Sequence, residues 1–183
     1  ADIIIAGAVI LETFMEELEL KELGVSYRDL RHGMLIDYLQ KHKEFPQYQS
    51  MSVRESSVLR LCRIFNVNEA HARVVQSLCI ELFDKTKTVG FHLFGSHERE
   101  LLHYSALLHD VGNVISFRSH HLHSYYIIQN AELLGFNQEE ITLMANIVRF
   151  HRKKLPGKKE SSFKELDKKN QQIIFYLSFL LRL

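Results

Sequence analysis

The sequence is short of the residues that mark several protein classes. It has no tryptophan, two prolines and eight glycines in 183 residues, which excludes collagen-like and low-complexity chains and argues against a many-stranded β architecture. Two cysteines, Cys62 and Cys79, are too few for a disulfide framework. They point to a reducing compartment, so a cytoplasmic location is expected. Neither sign of charge dominates, with 23 Lys and Arg against 22 Asp and Glu, which argues against a nucleic-acid wrapper and an acidic tail protein. The longest apolar run, Ile173 to Leu181, is too short to cross a bilayer. Ala1 to Val9 lacks the basic start of a signal peptide and contains Asp2. No membrane partner is expected.

Apolar residues (46%) and histidine (eleven) are what the chain has in quantity. Periodicity predicts a mainly α protein. Ile3, Ala6, Ile10, Phe14 and Leu18 repeat at helical spacing through about Leu20. Gly24 ends that helix, Val25 to Tyr27 reads as a short strand, and Asp29 opens a helix through Leu39. His42 to Ser50, with Pro46, reads as a linker. Beyond it, Ser52 with Glu55 forms a capping-box pattern, Asn68 and Asn137 sit at helix starts, Ser96 opens a helix, and Ser119 or a neighbour opens another. Lys85 to Gly95 and His151 to Lys159 read as loops, and Gly135 as a C′ glycine. A last helix carries Ile173, Ile174, Leu177 and Leu180.

Seven of the eleven histidines lie between His92 and His123. A single core-facing histidine is more often a satisfied core residue than a ligand, so the test is whether several converge. His71 heads the stripe Val74, Val75, Leu78, Leu82, and Asp110, beside His109, continues the stripe of Leu102 and Ala106. His123 shares a face with Tyr126 and Ile127, and His151 follows Met144, Ile147 and Val148. Four buried imidazoles and a carboxylate share one simple explanation, a divalent cation that pairs the charge and uses the ring lone pairs. The expected metal ligands are therefore His71, His109, Asp110, His123 and His151. His97 and His103 are expected on other faces, and His32, His42 and His92 on the surface.

The strings LLHDVGNVISF, HHLHSYYIIQNAELLGFNQEE and MANIVRFHRKKLP resemble the C-terminal HD-like domain of the exopolyphosphatase / guanosine pentaphosphate phosphohydrolase (Ppx/GppA) family. ADIIIAGAVIL and VSYRDLRHGMLIDYL resemble the last elements of that family's actin-like phosphatase domain. The resemblance implies an HD-domain-like helical bundle over residues 46–183, preceded over 1–45 by a helix-strand-helix remnant of the α/β phosphatase domain. It also implies that the catalytic lobes precede Ala1, and that a late metal-binding aspartate falls about two residues past Leu183. Both ends therefore read as cut.

By resemblance, His71, His109 and Asp110 take the HD ligand positions, and His123 and His151 suit the further histidines of two-metal members. The donor set suits Mn, Fe, Zn or Mg, with Mg expected for the full-length phosphatase. Candidate phosphate contacts are Arg118, His120, His121, Arg149, Arg152, Lys153 and Lys154, the last three in a segment, 151–170, that holds eight Lys or Arg against three acids. The expected function is a part in hydrolysis of inorganic polyphosphate or guanosine pentaphosphate, the chain itself binding polyphosphate and nearly inactive. The alternative is a metal-dependent HD phosphohydrolase in its own right. Specific nucleic-acid binding is not expected, since Phe163 is the strip's one aromatic. A homodimer is expected from the exposed apolar ends.

Overall fold

The computed structural model describes residues 2–23, 30–41, 51–157, 163 and 165–182. Among them the chain is helical, with no strand. The expected strand at Val25 to Tyr27 and the linker at His42 to Ser50 lie outside the described residues. The chain divides into two compact units, Ala1–Gln49 and Ser50–Leu183. The first holds α1 (Asp2–Glu17) and α2 (Leu30–Lys41). Apolar side chains cover α1 nearly all round, and Ile3, Ile4, Ile5, Ile10 and Phe14 are exposed.

The second unit runs α3 (Val53–Ile64), α4 (Glu69–Thr88), α5 (Ser96–Leu108), a 3₁₀ turn (Val111–Val114), α6 (His120–Asn130), α7 (Gln138–Arg149) and α8 (Lys168–Leu180). Four of its helix starts carry side-chain caps, while Gly95 and Ser119 cap α5 and α6 without one. Ser52 accepts from the Glu55 amide at 3.1 Å, Asn68 from His71 at 3.1 Å and Asp167 from Asn170 at 2.9 Å. Asn137 and Glu140 close a reciprocal box. Each such cap is worth about 1 kcal/mol. Helix α4 runs on to Thr88, into the segment that reads as loop. Thr86 and Thr88 return their hydroxyls to the carbonyls of Leu82 and Asp84, which satisfies them within the helix.

Helices α4, α5, α7 and α8 pack around one apolar core with α3 and α6 against it. Phe83, Leu101, Leu102, Leu108, Ile128, Met144, Ile147, Ile173 and Ile174 are fully buried, each contributing roughly 1.5–3 kcal/mol of transfer free energy. Arg54 of α3 ties the bundle together, meeting Glu100 of α5 at 2.9 Å and the buried Glu140 of α7 at 2.8 Å. Cys62 and Cys79 are buried packing residues whose thiols burial pushes up, to about 12 and about 11, so both stay protonated. No helix of the described chain is long and apolar enough to cross a membrane.

Candidate metal centre

The ends of four helices meet at one place in the second unit. His71 lies in the first turn of α4, His109 caps the C-terminus of α5, Asp110 follows it, His120 is the first residue of α6, and His151 follows α7. One close approach makes this meeting possible. A Cβ on Gly112 would lie 2.4 Å from the His120 carbonyl oxygen and from the Ser124 nitrogen, so only glycine lets the 3₁₀ turn reach the α6 backbone. Ser124 locks the contact. Its hydroxyl donates to the His109 carbonyl at 2.8 Å and accepts from the Gly112 amide at 2.9 Å. Nothing in the spacing marks Ser124; its signal was the small residue opposite a glycine.

Asp110 sits at the centre. His109 Nε2 lies 3.4 Å from its Oδ2, His71 Nε2 lies 3.9 Å from the same oxygen, and His120 Nε2 lies 3.4 Å from Oδ1. His120 Nε2 and His151 Nε2 are 3.2 Å apart. Two groups, His71–His109–Asp110 and Asp110–His120–His151, each place three donor atoms within 4.8 Å of one another and share the carboxylate.

The ring protons say which nitrogens face inward as lone pairs. His109 Nδ1 donates to the Ala106 carbonyl at 2.7 Å, and His151 Nδ1 to the Val148 carbonyl at 2.5 Å. Each Nε2 is then an acceptor. His109 Nε2 consequently faces a carboxylate oxygen, acceptor to acceptor, in a site where burial holds its proton affinity below the ordinary histidine value. Burial likewise lowers His151 to about 4. Two acceptors that face each other repel. A cation between them removes the conflict. Three of the four separations, all but the 3.9 Å of His71, fit this: ligands about 2.1 Å from a common ion lie about 3.0–3.4 Å from each other. His120 Nδ1 is contested, lying 3.1 Å from the Phe117 carbonyl and 3.3 Å from an Arg152 nitrogen, so either proton position satisfies only one of the two. With the proton on Nδ1 it donates to Phe117 and offers Nε2 to a cation. With the proton on Nε2 it donates to His151 and accepts from Arg152.

The expected residues distribute unevenly over this geometry. His71, His109, Asp110 and His151 come together, with His71 on the open side; its side chain is 54% exposed. The expected core stripe of α4 is therefore displaced. Ala72, Cys79, Ile80 and Phe83 are buried, while Val74 and Leu78 are exposed. His123 is half-buried, packs beside Gly112 and belongs to neither group of donors, whereas His120 belongs to one. The physical reason lies in α6, whose buried face is His120, His121, Ser124, Ile127 and Ile128, with Tyr126 outside.

Among the expected phosphate contacts, His121 is buried behind His120. Its Nδ1 has no hydrogen-bond partner among the described residues, and burial, then Lys153, His120, Arg152 and Arg149, lower its proton affinity to about 4. Lys153 reaches the Ser119 hydroxyl at 3.2 Å, and Arg152 stacks over Phe117. Ser119 and Lys153 both adopt left-handed backbone, with φ of 65° and 63°; such strain in residues other than glycine clusters at functional sites. Arg149 lies over the rings of Tyr125 and Phe150, and Arg118 and Lys154 are exposed. His92 departs from its expected surface place, as it is buried among Phe83, Phe94 and Tyr176.

Fold and site together define an all-helical domain organised around a histidine–aspartate cluster. The chain belongs to the Ppx/GppA phosphatase family: residues 53–183 match Ppx/GppA phosphatase, domain III. It is 27% identical over 153 residues to the guanosine-5'-triphosphate,3'-diphosphate pyrophosphatase of Pseudoalteromonas translucida (strain TAC 125), a match covering 84% of this chain and 29% of that protein. The protein of the same name from Aeromonas salmonicida (strain A449) is 24% identical over 143 residues, 78% of this chain and 27% of the relative. That from Photobacterium profundum is 25% identical over 150 residues, 82% of this chain and 29% of the relative. The chain thus spans less than a third of the length of the curated relatives it matches.

Proposed function

We propose that this chain is the helical part of a longer Ppx/GppA-type phosphatase that hydrolyses guanosine pentaphosphate or inorganic polyphosphate, and that its histidine–aspartate cluster holds a divalent cation that helps gather the phosphates. The observation carrying this reading is the buried acceptor-to-acceptor contact of His109 Nε2 with Asp110, 3.4 Å apart, together with the second group that shares Asp110. His71, His109, Asp110, His120 and His151 would hold the ion; the imidazole-rich set suits Mn, Fe or Zn, and Mg suits the full-length phosphatase. Bound there, a divalent cation supplies Lewis acidity toward phosphoryl oxygens. Arg152, Lys153 and the buried His121 bring positive charge and a spare ring nitrogen to the same edge. HD-like is the architecture we assign to residues 46–183, with residues 1–45 as the tail of an actin-like domain. A homodimer in the cytoplasm completes the reading.

The isolated chain is expected to have little exopolyphosphatase activity, since its glycines are scattered and no glycine-rich phosphate loop stands among them. One observation favours the second reading, a hydrolase in its own right. The two oxygens of Asp110 face different histidines, so this one carboxylate would serve both donor groups if each held an ion. Phosphate release from polyphosphate by the purified chain with Mn²⁺ separates the two. Release abolished by Asp110→Ala supports the hydrolase; salt-sensitive polyphosphate binding without release supports the binding role.

A further inference from the structure

Beside the cluster stands an aromatic ring that neither the core nor the proposed ligand sets use. Phe117 is 70% exposed, in a loop where Val114 and Ile115 are exposed as well. It is not loose. The Arg152 guanidinium lies over its ring at 5.3 Å, the His120 imidazole tilts toward it with centroids 5.7 Å apart, and its carbonyl oxygen is within reach of His120 Nδ1. An exposed phenylalanine keeps an apolar face in water, and a cation–π partner fixes its orientation. An aromatic ring beside an arginine plane is the surface on which nucleobases stack, whatever their hydrogen-bonding edges. The neighbouring ring, His120, reaches Asp110, and Lys153 meets Ser119 between Phe117 and α6. Base platform and phosphate site thus lie one imidazole apart.

We propose that Phe117, backed by Arg152, is a stacking platform for the base of a nucleotide whose phosphates lie at the histidine–aspartate cluster, so that this chain prefers a phosphorylated nucleoside to a bare phosphate chain. The proposal rests on the phosphate-gathering reading above and names the ligand class. Arg152 serves both halves. It stacks on the ring, and its charge faces His120 at the edge of the cluster.

The test compares guanosine 5′-triphosphate with inorganic tripolyphosphate, in Mn²⁺, on the chain as it stands. Stacking predicts roughly five- to 150-fold tighter binding of the nucleotide. Phe117→Ala should reduce nucleotide affinity to that of tripolyphosphate and leave tripolyphosphate unchanged. Because the chain has no native tryptophan, Phe117→Trp provides both a conservative rescue and a single emitter. The nucleotide should quench it and tripolyphosphate should not. Equal binding of the two ligands, or equal losses for both in Phe117→Ala, would overturn the platform while leaving the phosphate site standing. Binding of neither ligand, with flat emission from Phe117→Trp, would sink the phosphate reading and the platform together. Phe117 is exposed, so both variants should keep the circular dichroism and melting temperature of the parent.

Discussion

His92 and His109 are equally buried, at 7% exposure each, yet they do opposite things with their ring nitrogens. His92 has its Nε2 at the Phe83 carbonyl, 3.1 Å away, and accepts the Phe94 amide on Nδ1 at 3.2 Å, inside a box of Phe83, Phe94 and Tyr176. Both nitrogens are used by backbone, and the ring joins the α4–α5 connection to α8. His109 uses one nitrogen on the Ala106 carbonyl and leaves the other facing a carboxylate. A buried histidine with both nitrogens answered is a structural residue. One with an acceptor aimed at another acceptor is the kind a cation would satisfy, which is what we propose for His109. Burial alone does not separate these roles; the hydrogen-bond accounting does.

Gly112→Ala should have the largest effect on stability, about 3 kcal/mol or more, since its new methyl would enter the α6 backbone. Urea unfolding measures it, and a loss under about 1 kcal/mol would mean the turn and α6 can part cheaply. His92→Ala should cost about 2–3 kcal/mol from the lost ring packing and two orphaned backbone groups. It should leave divalent-ion content unchanged, and a drop in that content would erase the distinction between the two histidines. Ser124→Ala should cost about 1–2 kcal/mol and weaken ion binding roughly tenfold through the loosened His109 carbonyl.

The ion-free protein should also lose stability in acid. His121 and His151 titrate near 4 when folded and near the ordinary 6.5 when unfolded. The unfolded chain therefore binds more protons in between. The contribution is whole above about pH 6.5 and is lost progressively as pH falls toward about 4. Melting temperatures in chelator across that window check the sign; a flat profile would place both rings in water. His123→Ala should have the smallest effect, within about 1 kcal/mol for a half-buried surface residue and without change in ion affinity. A tenfold loss of affinity there would move the site toward the helix-periodicity expectation.

Much of this was legible in the residues. Side-chain caps at Ser52, Asn68 and Asn137 lie where the sequence puts them, because capping is a local bargain between one side chain and the next turn. His71, His109, Asp110 and His151 were singled out because they stand at helix ends, on or beside apolar stripes. What periodicity did not convey was the rotation of α6. The string from His120 to Ile128 has apolar residues on several faces, so its buried side is settled by Ser124 seating against Gly112, a contact between segments twelve residues apart. The same tertiary contact brings His120 rather than His123 to Asp110. His92 was illegible for a similar reason, as its box closes only when α8 supplies Tyr176.

We propose that the cluster is a cation site, a claim decided by elemental analysis of the dialysed chain beside its Asp110→Ala and His92→Ala variants. The expected result is at least one divalent ion per chain in the parent and in His92→Ala, and none in Asp110→Ala. Equal, negligible content in all three, even after incubation with Mn²⁺ or Zn²⁺, would contradict the claim and leave His71, His109, Asp110, His120 and His151 as a hydrogen-bonded knot.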